Sequence, residues 1–165
     1  QFLIDNPDIL VIHASSKNAM SFIKVPNEQV FCLVGNEGHR LEKVFGNRQI
    51  KGKCILPPYP RKMGTYIPEA LSKNAYELKD VDFTDEYQDS HTAIALQIAN
   101  ELDISSIYLT GYDAYDGNIS KKEQELFQEN QKLFNEFKKY KNMDLISLTS
   151  TGYKQLENNS VYALI

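Results

Sequence analysis

The sequence predicts an α/β fold: a three-layer, Rossmann-like domain with a mostly parallel sheet and helices on both faces. Three observations carry this expectation. Short apolar runs at 9–14, 30–34, 53–56, 106–110 and 144–148 alternate with amphipathic segments of helical period. The run at 9–14 is continuously apolar but for His13 rather than alternating, which suits a buried parallel strand. Residues 89–117 then combine the pieces. Ile94, Ile98 and Leu102, with Ala95 and Ala99 beside them, form one helical stripe. Ser106 to Thr110 reads as a buried strand, and a polar loop containing Gly111 follows.

Taken in order, Phe2-Leu3-Ile4 reads as the tail of a helix already under way. The chain is therefore expected to be a C-terminal piece of a longer protein, folded as one domain over 1–165. Asn6-Pro7-Asp8 is a turn, and Ile9 to Ala14 a strand interrupted only by His13. Ser15-Ser16 offers an N-cap for a helix to about Ile23. Val30 to Val34 is the second strand, and a short helix over about His39 to Phe45 ends at Gly46-Asn47. Lys53 to Leu56 is a third strand. The prolines of Pro57-Pro58-Tyr59-Pro60 exclude helix and regular ladder after it. Ala75 to Leu78 reads as an edge strand. Ser120-Lys121-Lys122-Glu123 is a capping box, and Leu126, Phe127, Leu133, Phe134 and Phe137 give the following helix an apolar face to about Tyr140. Asp144 to Leu148 is a strand, Tyr153 to Leu156 a helical turn, and Val161-Tyr162 a last short strand.

A chain of 165 residues with net charge −4 lacks the basic excess of a nucleic-acid surface. No apolar run reaches the length of a membrane helix and no signal peptide opens the chain, so a cytoplasmic protein is expected. Cys32 and Cys54 lie in apolar runs and read as buried, reduced thiols.

Three loops follow expected strands and should meet at one sheet edge: His13 to Asn18, Gly35 to Arg40, and Thr110 to Tyr115. Their glycines and hydroxyls let N–H groups approach an anion, and Lys17 and Arg40 add charge. Candidate ligand contacts are Ser15, Asn18, Gly35, Asn36, Gly38, Arg40, His91, Thr92, Gly111, Asp113 and Tyr115. Ordinary caps and turns select the same residue types. Asp113 and Asp116 could meet a ligand hydroxyl or a cation, or cap their own loop. Arg61-Lys62 could close over an anion or meet a neighbouring domain. The glycines do not form a G-x-G-x-x-G fingerprint, the three histidines lack metal-motif spacing, and no catalytic set can be assembled. His13 reads as a hydrogen-bonded core histidine.

Ile12 to Asn18, Leu33 to Gly38, Leu56 to Thr65, Leu109 to Tyr115 and Ser147 to Tyr153 resemble the C-terminal domain of bacterial HMG-CoA-lyase-like aldolases of the DRE-TIM type, the 4-hydroxy-2-oxovalerate aldolases. The resemblance covers nearly the whole chain. It implies a parent enzyme in which an upstream TIM barrel holds a divalent metal, Mn or Mg, and performs the carbon–carbon lyase chemistry. This chain contains neither the D-R-E motif nor the H-x-H ligands, so no catalytic residue, metal ligand or cofactor is assigned to it. Residues 89–117 alone are similar to nucleotide-binding domains of bacterial CMP-sialic-acid sialyltransferases and archaeal hydroxymethylpterin pyrophosphokinases. In the sialyltransferases a tyrosine just after Gly-x-Asp contacts the leaving phosphate, and Tyr115 is at the matching place. Those enzymes also use a downstream histidine base, and no histidine follows His91.

The expected function is therefore an accessory domain, non-catalytic by itself, that binds a nucleotide or phosphosugar at the strand C-terminal edge. Its expected partner is its own N-terminal barrel domain, and a homo-oligomer is compatible with that role. The alternatives are a nucleotide-sugar-dependent transferase and a purely structural or oligomerisation domain.

Overall fold

The computed structural model describes residues 1–62, 64–115 and 119–164. The fold is α/β and Rossmann-like, and every strand pairing among the described residues is parallel. The elements are α1 (Phe2–Asp5), β1 (Val11–His13), a 3-10 helix (Ser16–Phe22), β2 (Gln29–Cys32), α2 (Glu37–Phe45) and β3 (Lys53–Leu56). A second 3-10 helix (Glu69–Asn74), β4 (Ala75–Glu77), α3 (His91–Glu101) and β5 (Ile107–Leu109) follow. The chain closes with α4 (Lys121–Lys141), β6 (Leu145–Ser147), β7 (Leu156–Asn158) and a third 3-10 helix (Val161–Leu164).

The strands are divided between two sheets rather than gathered into one, ordered β1-β2-β3-β4 and β5-β6-β7. Each strand is only three or four residues long, so a pairing rests on few ladder bonds and a sheet can end at any of them. The chain correspondingly forms two compact units. One comprises residues 1–82 and 88–95, the other 83–87 and 96–165.

In the first unit β2 is buried along its whole length. Phe31, Leu33, Leu41, Phe45, Cys54, Leu56 and Leu71 form the core beside it. Gln29 opens β2 without penalty because its amide is spent. Nε2 donates to the Phe22 carbonyl at 3.0 Å, and Oε1 accepts from His13 Nε2 at 2.9 Å. His13 stacks on Phe31 with centroids 4.8 Å apart, the buried core histidine that the sequence suggested. Burial holds its pKa below the ordinary imidazole value despite the Gln29 bond. Cys32 and Cys54 are free and buried, and burial pushes the Cys54 thiol up to about 12. The helix expected after Ser15 lies at Ser16–Phe22 and is of the 3-10 kind. The Ser15 hydroxyl caps it, accepting from the Lys17 N–H at 3.4 Å.

In the second unit α4 carries its expected capping box, with Ser120 and Glu123 bonded reciprocally. Leu133, Phe134 and Phe137 are fully buried, and Phe134 meets Tyr153 edge-on at 5.4 Å. Three expectations change. Leu102 lies past the end of α3 and is 54% exposed, so the α3 stripe stops at Ile98. β5 is only half-buried because it is an edge strand. The last strand is Leu156–Asn158, not Val161-Tyr162. Leu156 is buried and pairs beside Leu145 of β6, whereas Val161 begins a 3-10 turn.

Candidate functional site

In the first unit, the segments that leave β1 and β2 at their C-terminal ends converge on one side chain, Glu37. After β1 the chain runs through Ala14 and Ser15 into the 3-10 helix. After β2 it turns at Gly35, whose φ of 54° favours glycine, and Glu37 becomes the first residue of α2. Ser16 donates to Glu37 Oε2 twice, from its N–H at 2.9 Å and its hydroxyl at 2.6 Å. Arg40, one turn along α2, pairs with Oε1 and also donates to the Ser15 hydroxyl at 3.2 Å. His91, at the start of α3, brings Nε2 to 3.5 Å from the same Oε1.

The Glu37 side chain is 3% exposed, whereas Arg40 and His91 are 49% and 41% exposed. Burial alone would raise the Glu37 pKa. The bonds from His91 and Ser16 and the Arg40 charge outweigh it and hold the carboxyl at about 2. An ionised carboxylate at the edge of the sheet therefore anchors one face of two cationic or potentially cationic groups, whose other faces meet solvent.

The backbone around this cluster is tightly placed. A Cβ on Gly38 would lie 1.9 Å from the Tyr66 carbonyl oxygen, so only glycine fits where the chain after β3 crosses the start of α2. Tyr66 stacks on His39 at 4.0 Å and donates to Glu42 at 2.8 Å. Asp89 accepts from the Lys62 N–H at 2.6 Å, tying the Pro-rich loop to the segment before α3. Arg61, considered for closing over an anion, instead pairs with Glu77 and donates to the Pro57 carbonyl.

Of the residues singled out from sequence, Ser15, Arg40 and His91 are brought together. Gly35, Asn36 and Gly38 form the turn and helix start that carry Glu37. Asn18 is exposed on the 3-10 helix, and Thr92 is buried in the first turn of α3. Gly111, Asp113 and Tyr115 belong to the second unit. There the Gly111 N–H donates to the Thr149 hydroxyl at 3.3 Å, the Asp113 carbonyl accepts from the Gly152 N–H at 3.1 Å, and Tyr115 is 39% exposed. Asp116 lies outside the described residues. Glu37, the centre of the cluster, was not singled out from sequence. A carboxylate between two glycines in a polar loop reads as solvated, and only its offset of three residues from Arg40 hinted otherwise.

Among the described residues no group of three or more His, Cys, Asp and Glu side chains is placed to hold a metal ion. No protein-family profile, curated protein or solved structure matches the chain.

Proposed function

We propose that the chain is an accessory, non-catalytic α/β module of an HMG-CoA-lyase-like aldolase, working beside that enzyme's own barrel domain. In this reading the Arg40–His91 edge of its first unit binds the phosphate of a nucleotide or phosphosugar. The observation that carries the reading is the buried, ionised Glu37. A buried ion pair is weak support for stability, since well-packed apolar residues of similar volume often do as well or better. Perturbed carboxylates that hold exposed donors in place cluster at functional sites. Here Glu37 occupies one face of Arg40 and of His91 and fixes their orientation. Arg40 keeps further N–H donors for an incoming phosphate, and the Ser15 hydroxyl lies beside it.

Calorimetry with CMP, UDP and their sugar conjugates tests the site, using the wild type, Arg40→Ala and His91→Ala. Each substitution should weaken binding about ten- to a hundredfold. Absence of binding at millimolar ligand, or unchanged binding by both variants, would remove the phosphate site. Incubation with 4-hydroxy-2-oxo acids and Mn²⁺ or Mg²⁺ tests the non-catalytic role. Turnover by the purified chain that disappears on substitution of one of its own residues would refute that role.

A further inference from the structure

The opposite end of the four-stranded sheet holds a second polar feature. The connection into β2, from Ile23 to Glu28, and the connection from α2 into β3, from Phe45 to Gly52, enclose a half-open cavity of about 740 Å³. Its floor is the first residue of β2, Gln29. Gly52 packs so closely there that a Cβ would lie 2.6 Å from the Gln29 carbonyl oxygen. Lys24, Arg48 and Lys51 line this cavity. None of the three has a carboxylate partner among the described residues. The one carboxylate in the lining, Glu28, is already engaged by Lys53 at 2.5 Å. The cavity therefore carries an uncompensated positive charge in a chain whose net charge is −4.

Asn27 lies in the same wall, 5% exposed. Its Nδ2 donates to the Asn6 and Ile9 carbonyls, each at 2.9 Å, which ties this connection to the turn before β1 and holds the wall in place. Gln49 adds a further amide to the rim. The volume falls in the range of small-ligand pockets and exceeds what a bare phosphate needs.

We infer that this cavity is a binding site for a small hydroxylated phosphate monoester, such as a phosphorylated sugar. The cations hold the phosphate and the Gln49 amide on the rim meets a hydroxyl. This inference goes beyond the site proposed above and uses none of its residues. The test is a ¹⁵N–¹H titration of the full chain with glucose 6-phosphate, inorganic phosphate and glucose. It compares the wild type, the double variant Arg48→Ala/Lys51→Ala, and Arg40→Ala.

Glucose 6-phosphate should saturate and shift the amides of residues 23–29 and 45–52. Inorganic phosphate should bind more weakly and glucose not measurably. The double variant should lose at least about tenfold in affinity, and added salt should weaken binding. Whatever Arg40→Ala does to binding at the Glu37 cluster, it should leave the shifts of residues 23–29 and 45–52 as they are in the wild type. No saturable shift of those residues at tens of millimolar, equal affinity of the double variant there, or loss of those shifts only in Arg40→Ala would overturn the inference. The last outcome would assign the phosphosugar to the Glu37 cluster instead.

Discussion

At the C-terminal end of the four-stranded sheet, Arg40 and His91 both face Glu37. At its N-terminal end, Lys24, Arg48 and Lys51 face no carboxylate of their own among the described residues. By sequence the two ends look alike, since both are polar loops with a glycine and two or three basic side chains. By partner accounting they are opposites. At the first end a buried anion belonging to the chain already occupies one face of the cations, so an external anion must take what Glu37 leaves. At the second end no described carboxylate answers the charge. Counting cations near a sheet edge therefore says little about an anion site until their internal partners are known.

The largest expected effect breaks the comparison from the closed end. Glu37→Gln removes the charge that Arg40 and His91 share, at nearly constant volume. With the Glu37 carboxyl held at about 2 against an ordinary 4.5, the variant should be less stable by about 3 kcal/mol at pH 7, read from urea midpoints at constant slope. The same shift sets the pH dependence. A carboxyl whose folded pKa is depressed binds more protons when the chain is unfolded, so its contribution is complete above the ordinary value. It is lost as pH falls from about 4.5 through about 2. The gap between wild type and Glu37→Gln should therefore close toward pH 2. A gap that persists unchanged there would mean that shape rather than charge holds this edge.

A smaller effect is expected at the open end. Gly52 has a φ of 138°, which L side chains rarely adopt, and its Cβ would press on the Gln29 carbonyl. Gly52→Ala should cost about 1–3 kcal/mol by the same measurement. It should also disturb the cavity floor while leaving the Glu37 cluster intact. A neutral Gly52→Ala would show that the two connections are less tightly joined than the approach of Gly52 to the Gln29 carbonyl requires.

The fold class was legible because short strands of continuous apolar residues and amphipathic helices are local patterns. β3 was expected at Lys53 to Leu56 and lies there, and α4 begins at its capping box. What was not legible depended on pairings distant in sequence. Nothing local says that β4 ends one sheet and that β5 starts another. The same limit hid Glu37. Its burial needs Ser16 from one segment and His91 from another, and neither is near it in the chain. The N-terminal cavity is not legible in the sequence for a different reason. The rule that ligands gather at strand C-terminal ends directs attention away from it. That rule holds where strand order reverses, and the order here is sequential with no reversal inside the sheet.

The smallest expected effect is the sharpest discriminator between the two ends. Arg48→Ala/Lys51→Ala removes two exposed charges that no carboxylate answers among the described residues, so little native interaction is lost. Arg48 lies just past the C-terminus of α2, where a cation gains a few tenths of a kcal/mol from the helix dipole. The two side chains also crowd like charge around one cavity, which opposes that gain. The two contributions offset, and the double variant should match the wild type within about 0.5 kcal/mol in low-salt buffer. Glucose 6-phosphate should then separate the proteins. Binding to the native state alone raises stability by mass action, so the wild type should gain about 2.7 kcal/mol at a hundredfold excess over Kd and the variant much less. A variant that is markedly unstable without ligand would mean that Arg48 and Lys51 hold the loops together. A variant protected as well as the wild type would mean that the open charges do not bind the phosphate.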